Sequence, residues 1–346
     1  MHSATPQMER TPITGLTRTR PGTSSARLQS EALTGKELFS SSLRKLLPLS
    51  TFRSLEEFVE QIRARIVLTS LSIVFLLLST GALAQYTFTT VDVPGAMETD
   101  CNGINRAGVV VGFYLDTSGL AHGFEFVNGS FKFMDVPKSQ GTYPYGINDH
   151  GQAVGWYADR NFVTHGFLFT GGKLSTLDPP NSLLTNAWSL NNAGEVVGTY
   201  EDANDIHHGF TYLNGVFTSY DAPGGILTAL TGINTTGAMV GYYDNSNGVL
   251  QGFALANQKF TSLNDPSGVD TVATRLNDGG EVVGYFGGTG TGPFSAFTLS
   301  GGIYNTVELS GASDTRIRGV NNAGTIVGRY TDFDGVVHGF IGTPSR

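Results

Sequence analysis

One asparagine recurs at Asn105, Asn148, Asn191, Asn234, Asn277 and Asn321, in Gly-Ile-Asn or a close variant. Successive spacings are 43, 43, 43, 43 and 44 residues. A fixed period of this length marks a repeat architecture, in which each unit buries its apolar face only by stacking on its neighbours. Each copy carries four short strand signals. In the second copy they are Phe131 to Asp135, Thr142 to Ile147, Gln152 to Tyr157 and His165 to Phe169, here termed a, b, c and d. With only 14% charged residues and 46 Gly, the chain favours short strands and tight turns over helices.

The connections say which strands pair. Between b and c lies Asn-x-x-Gly, where Asn starts a turn and Gly takes the left-handed position. Between d and the next a lies a two-residue hairpin turn such as Asn128-Gly129 or Gly171-Gly172. The c-to-d link, as from Ala158 to Thr164, closes a longer hairpin. Only the a-to-b link lacks hairpin character, so the sheet unit is b-c-d-a′, with a′ borrowed from the following copy. The first copy then has a spare a strand, residues 86–93, and the last copy ends at d without an a′. Each end supplies what the other lacks. The expected fold is therefore all-β, a six-bladed β-propeller of four-stranded blades spanning residues 86–346. It is closed by the N-terminal strand 86–93 pairing with the last three strands. An open solenoid or a pair of packed sheets would leave both ends unpaired.

The residues ahead of the repeats differ in character. Of the 29 acids, 23 lie from Gln85 onward, against 11 of the 21 bases, so the repeat region is strongly acidic and the leader basic. An acidic body argues against a nucleic-acid partner. Ile66 to Leu83 is an apolar stretch preceded by Arg63 and Arg65 and ending in Ala82-Leu83-Ala84. Residues 61–84 thus read as a secretory signal peptide, the alternative being an uncleaved membrane anchor. Residues 1–60 are Ser/Thr/Arg-rich and read as a disordered leader. They are too long for an ordinary signal n-region, so translation is expected to start further downstream, near Val59. Cys101 is the only cysteine, so no intrachain disulfide forms.

The repeat core, Gly-Ile-Asn-x-x-Gly-x-Val-Val-Gly-x-Tyr followed by His-Gly-Phe, resembles the HAF-type bacterial extracellular repeat, named for its His-Ala-Phe tripeptide. The resemblance runs from Tyr86 to Ile341. The tripeptide stands at His122-Gly-Phe124, His165-Gly-Phe167, His208-Gly-Phe210 and His338-Gly-Phe340, and departs to Gln251-Gly-Phe253 and Ser295-Ala-Phe297. The resemblance implies export, to the periplasm, cell surface or exterior. It carries no shared reaction, so no catalytic residue follows from it.

Residues that recur in most or all copies read as scaffold. Thr99, Thr142, Thr185, Thr228, Thr271 and Thr315 open strand b, and Asp92, Asp135, Asp178 and Asp221 precede the a-to-b link. With His122, His165, His208 and His338 they suit a hydrogen-bonded network that pins the loops. A catalytic site needs unlike groups that converge once. The unlike groups follow the Thr of strand b, on the face of the a-to-b crossings. They are Asp100, Tyr143, Tyr145, Asn186, Trp188, Arg316 and Arg318, and they are expected to rim a central channel. Aromatic walls with both charges suit a sugar or an acidic ligand.

Other motifs are weak. Asp332-Phe-Asp334-Gly335 begins like a calcium loop, but Thr343 stands where the closing Glu belongs, so a turn is expected. His207-His208 lacks partners at metal spacing. No nucleophile-elbow, zinc-protease or Walker motif is present, and no metal or cofactor is expected. The reading is an exported binding module for a carbohydrate or a cell-surface protein, touching membrane only through an uncleaved leader. The alternatives are a polysaccharide-active lyase or hydrolase using Asp100 with Arg316 or Arg318, and a structural envelope protein.

Overall fold

The computed structural model describes residues 86–288 and 292–345; the leader and signal segments, 1–60 and 61–84, lie outside the described residues. Among the described residues, twenty-four strands form six blades. Blade one holds β2 (Glu98–Ile104), β3 (Val110–Leu115), β4 (Ala121–Val127) and β5 (Ser130–Phe133). Blade two holds β6 (Thr142–Ile147), β7 (Ala153–Ala158), β8 (Thr164–Thr170) and β9 (Lys173–Leu177). Blade three holds β10 (Leu184–Leu190), β11 (Val196–Glu201), β12 (His207–Leu213) and β13 (Val216–Tyr220). Blade four holds β14 (Gly225–Ile233), β15 (Met239–Asn245), β16 (Leu250–Ala256) and β17 (Lys259–Ser262). Blade five holds β18 (Asp270–Leu276), β19 (Val282–Gly287), β20 (Phe294–Ser300) and β21 (Ile303–Val307). Blade six holds β22 (Ala312–Val320), β23 (Ile326–Asp332), β24 (Val337–Pro344) and, from the other end of the chain, β1 (Tyr86–Val91).

The b-c-d-a′ frame is the observed one, and so is the closure. β1 runs antiparallel to β24 from Tyr86↔Pro344 to Val91↔Gly339. Around the ring, each inner strand packs against the inner strands on either side, and β2 meets β22 to complete the circle.

The Asn-x-x-Gly turn works as its residue types dictate. Asn148 Oδ1 accepts from the N–H groups of His150 (3.1 Å) and Gln152 (3.0 Å), while Gly151 takes a φ of 73°. The blade interiors are built on one phenylalanine each. Phe124, Phe167, Phe210, Phe253, Phe297 and Phe340 are all among the fully buried side chains, and each contributes about 1.5–3 kcal/mol by burial. The ring of Phe124 lies over Gly112 of the Val-Gly-x-Tyr motif, where a Cβ would also collide with the carbonyl of Asp100 on the inner strand.

Candidate functional site

All six inner strands carry the same irregularity. In each b–c pair the register shifts by one residue, between Cys101 and Gly103, Pro144 and Gly146, Ala187 and Ser189, Leu230 and Gly232, Ala273 and Arg275, and Ile317 and Gly319. A bulge adds one unpaired residue and re-aims its side chain. The residues so presented are Asn102, Tyr145, Trp188, Thr231, Thr274 and Arg318, three before each recurring Asn.

These six divide by chemistry. Asn102 Nδ2 donates to Pro144 O (2.9 Å), Thr231 Oγ1 to Ala273 O (2.7 Å) and Thr274 Oγ1 to Ile317 O (2.9 Å). Each thereby stitches its inner strand to the next blade. Tyr145, Trp188 and Arg318 make no such stitch and stand in the channel. They surround a space of about 390 Å³ open to solvent, together with Tyr242, Tyr285, Val272 and Arg275. Tyr145 meets Trp188 edge-on at 4.5 Å between ring centroids, and the Trp188 indole N–H donates to Thr199 Oγ1 (3.1 Å). The Arg318 guanidinium lies 5.4 Å from the Tyr285 ring centre.

Nearer the crossing-face mouth stand Asp100, Tyr143, Asn186 and Arg316, paired across the ladder with Phe113, Trp156, Thr199 and Arg329. Tyr143 stacks on Trp156 at 3.8 Å. Asp314 grips Arg316 through both oxygens (2.9 and 3.2 Å), with the guanidinium 4.5 Å from the Phe294 ring centre. Arg329 pairs with Glu98 (3.0 Å) and lies 3.7 Å from Asp100. Several buried polar atoms here have no protein partner: Oδ1 of Asp100, Asn102, Asn186 and Asp244, and Nε of Arg318 and Arg329. Met97, Leu183 and Val269, each just ahead of an inner strand, and Ile226, at the start of one, expose apolar side chains around the rim.

The floor is a single side chain. Two residues before the recurring Asn, five copies have Gly103, Gly146, Ser189, Gly232 and Gly319, because neighbouring inner backbones touch there. A Cβ on Gly232 would come within 2.9 Å of the Arg275 Cα. The fifth copy instead has Arg275, only 8% exposed, whose side chain crosses the axis. Its Nη1 donates to the carbonyls of Trp188 (3.0 Å) and Thr231, and its Nη2 to those of Tyr145 (2.7 Å) and Asn102 (3.3 Å). Four blades are thus bonded to one guanidinium. Arg275 also bounds a separate space of about 360 Å³ beneath it. Below that lies an apolar collar of Ile104, Ile147, Leu190, Ile233, Leu276 and Val320, and then the recurring asparagines.

Electrostatics set this channel apart. Among the described residues, neither Arg275 nor Arg318 has a carboxylate partner within ion-pair distance. Burial, helped by the Arg318 charge, pulls the Arg275 pKa down to about 10, still charged at neutral pH. Burial acts against the Arg318 cation too, but Tyr285, Asp100, Tyr145 and Tyr242 outweigh it and hold its pKa above the ordinary value. Burial pushes the Tyr145 hydroxyl up to about 12, so it stays a neutral donor.

The recurring acids and histidines sit outside the channel, at the blade flanks. His122, His165, His208 and His338 bond through Nδ1 to Asp135 (2.9 Å), Asp178 (2.7 Å), Asp221 (2.7 Å) and Asp92 (2.8 Å). Each imidazole also packs on the Tyr of its Val-Gly-x-Tyr, as Tyr330 on His338 at 5.0 Å. Thr99, Thr142, Thr228 and Thr271 accept from the N–H groups of Val93, Val136, Ala222 and Asp265 at 2.9–3.1 Å. Pro179 has no N–H to give, and Thr185 meets Ser182 instead (3.2 Å); Thr315 is buried at the corresponding place. Asp332 accepts from the N–H groups of Asp334 and Val336 at 2.9 Å, forming a turn. Among the described residues no group of three or more His, Cys, Asp or Glu converges as a metal site.

Sequence reasoning therefore reached Tyr145, Trp188 and Arg318 in the channel and Asp100, Tyr143, Asn186 and Arg316 above them. It missed Arg275 and three residues of the c strands, Tyr242, Tyr285 and Arg329. Both left a signal: Arg275 breaks a run of Gly and Ser, and the x of Val-Gly-x-Tyr varies, reading Phe113, Trp156, Thr199, Tyr242, Tyr285 and Arg329.

No family model matches the chain, and no curated protein matches it, so the extracellular-repeat resemblance rests on the repeat residues alone. Several solved propellers are similar in fold. The fungal lectin of Aleuria aurantia, described as a six-bladed β-propeller with a novel fucose recognition mode, is 12% identical over 73% of this chain and 93% of its own, with a TM-score of 0.44. AofleA from Arthrobotrys oligospora is 11–12% identical over 74% and 86%, with a TM-score of 0.48 in its unsubstituted form. The β-propeller domain of the Trilobed protease from Pyrococcus furiosus, described as having an open velcro topology, is 8% identical over 71% and 94%, with a TM-score of 0.46.

Proposed function

We propose that the protein is an exported binding propeller of the HAF-repeat type that takes a carbohydrate at the crossing-face mouth of its channel. One observation carries this reading. Buried acceptors on Asp100, Asn102, Asn186 and Asp244 have no protein partner, and they stand by the channel that Trp188, Tyr145, Tyr242 and Tyr285 line. Leaving a buried polar atom unpaired costs about 1–3 kcal/mol, and a sugar brings hydroxyl donors to pair them. Its C–H faces suit aromatic walls. The lectin similarities add the fold and nothing about the ligand.

A glycan-array and turnover screen on the full chain, repeated with Trp188→Ala, tests the reading. Binding without turnover is expected, weakened about tenfold or more by loss of the indole. Released product would replace the reading with a polysaccharide-active lyase or hydrolase. Neither binding nor turnover would leave a structural envelope protein.

A further inference from the structure

Resting on that carbohydrate reading, we propose that the mouth selects an acidic sugar, a uronate at a chain end, with its carboxylate seated on Arg318. The three arginines of the upper channel are not equivalent. Asp314 occupies Arg316 through two hydrogen bonds, and Glu98 and Asp100 flank Arg329 at 3.0 and 3.7 Å. Arg318 makes no hydrogen bond or ion pair among the described residues, and its buried Nε has no protein partner. The Tyr285 ring centre lies 5.4 Å from its guanidinium carbon, and no protein acceptor among the described residues takes the N–H donors of its planar edge. That edge matches a carboxylate through two parallel N–H donors.

The surroundings favour one negative charge on the ligand. Arg275, a second cation bonded only to carbonyls, lies directly below. The two positive charges are enclosed by protein, where an opposite charge is worth more than in water. Asp100 and Asp244 offer free oxygens nearby. These accept from hydroxyls but repel further anionic groups, which suits a monoanionic sugar better than a phosphate or sulfate ester.

The end-on mode follows from the floor. Arg275 spans the axis and divides the channel into spaces of about 390 and 360 Å³. A polymer cannot thread it, so a ligand reaching Arg318 enters from one side and stops.

Calorimetric titration of the full chain with glucuronate, galacturonate and their oligomers, set against the methyl esters, tests this. The acids are expected to bind about 10- to 100-fold more tightly than their esters, the range for one charge-assisted pair. Arg318→Gln should erase that gap with the thermal midpoint held. Lys132→Gln, on the outer strand β5 and paired with Glu125 away from the mouth, should leave the gap in place. Affinity counted per chain should match between a trimer and a long polymer. Equal affinity for acid and ester in a protein that still binds glycans overturns the acidic selection and spares the carbohydrate reading. Tighter binding of a sulfated or phosphorylated sugar overturns it too. Affinity that grows with residue number overturns the end-on mode, and absence of all glycan binding removes the reading beneath the proposal.

Discussion

At the turn-side mouth of the channel, six identical asparagines each hand one hydrogen bond to the next blade until the circle closes. Nδ2 of Asn105 donates to Asn148 O, and so on around to Asn321, whose Nδ2 donates to Asn105 O, all at 3.1–3.4 Å. At the crossing-side mouth, Asp100, Asn102, Asn186 and Arg318 of the inner strands, with Asp244 and Arg329 of the strands beside them, leave buried atoms unpaired. Inner strands serve both ends. Where the copies agree, side chains satisfy one another and hold the ring together. Where they disagree, pairing is incomplete, and a ligand has groups to meet.

Blade three tests this contrast within one strand, because Asn186 and Asn191 stand five residues apart on opposite sides of the Arg275 floor. Asn191→Ala should have the largest effect. It removes the bond to Asn234 O and the acceptor for the N–H groups of Ala193 and Glu195. A loss of about 2–4 kcal/mol is expected, seen as a fall of several degrees in the calorimetric midpoint. An unchanged midpoint would dissolve the distinction between the two mouths.

A smaller effect comes from the flanks, where His122 and His338 each lie between two aspartates. Burial works against their charged forms, but Asp135 and Asp116, and Asp92 and Asp332, outweigh it and raise both pKa values. The stabilisation is complete below about pH 6.5 and is lost as pH rises through the raised folded values. The aspartates behave oppositely. The Ser118 hydroxyl and Leu120 N–H hold Asp116 below its ordinary pKa, and the Val336 N–H does the same for Asp332. Their share is present above about pH 3.8 and is lost as pH falls. The midpoint should therefore peak between those limits. Histidine NMR titration checks it, and a value at or below 6.5 for His338 would contradict the clamp.

The smallest effect should be that of Asn186→Ala. Its Oδ1 has no protein partner, so stability should hold within about 0.5 kcal/mol while glycan affinity falls. A midpoint loss matching that of Asn191→Ala would show that the upper mouth is scaffold as well.

The sequence made the ring legible because every blade repeats its turn chemistry and because the terminal offset leaves one a strand spare. The site was legible only in part. Alternation along strand b reaches Tyr143 and Tyr145 and their equivalents, but the bulge that follows Pro144 and its counterparts changes the phase, so counting does not carry on to Arg275. Arg275 looks like a surface charge in a linear chain; only the closed ring brings the carbonyls of Asn102, Tyr145, Trp188 and Thr231 around it. In the linear chain the asparagines are turn residues, and their second bond, across to the next blade, exists only once six copies stand in a circle.

The pairing of β1 with β24 has a consequence in time. Tyr86 is made 258 residues before its partner Pro344, so the first strand waits as an open edge until nearly the whole ring has emerged. Five blades can assemble from neighbours as they appear, but the sixth is a joint between the oldest and newest parts of the chain. Completion is therefore the late, all-or-none step. A protein cut short before Val337, and so without β24, would be left with its earliest strand unpartnered and its ring unclosed.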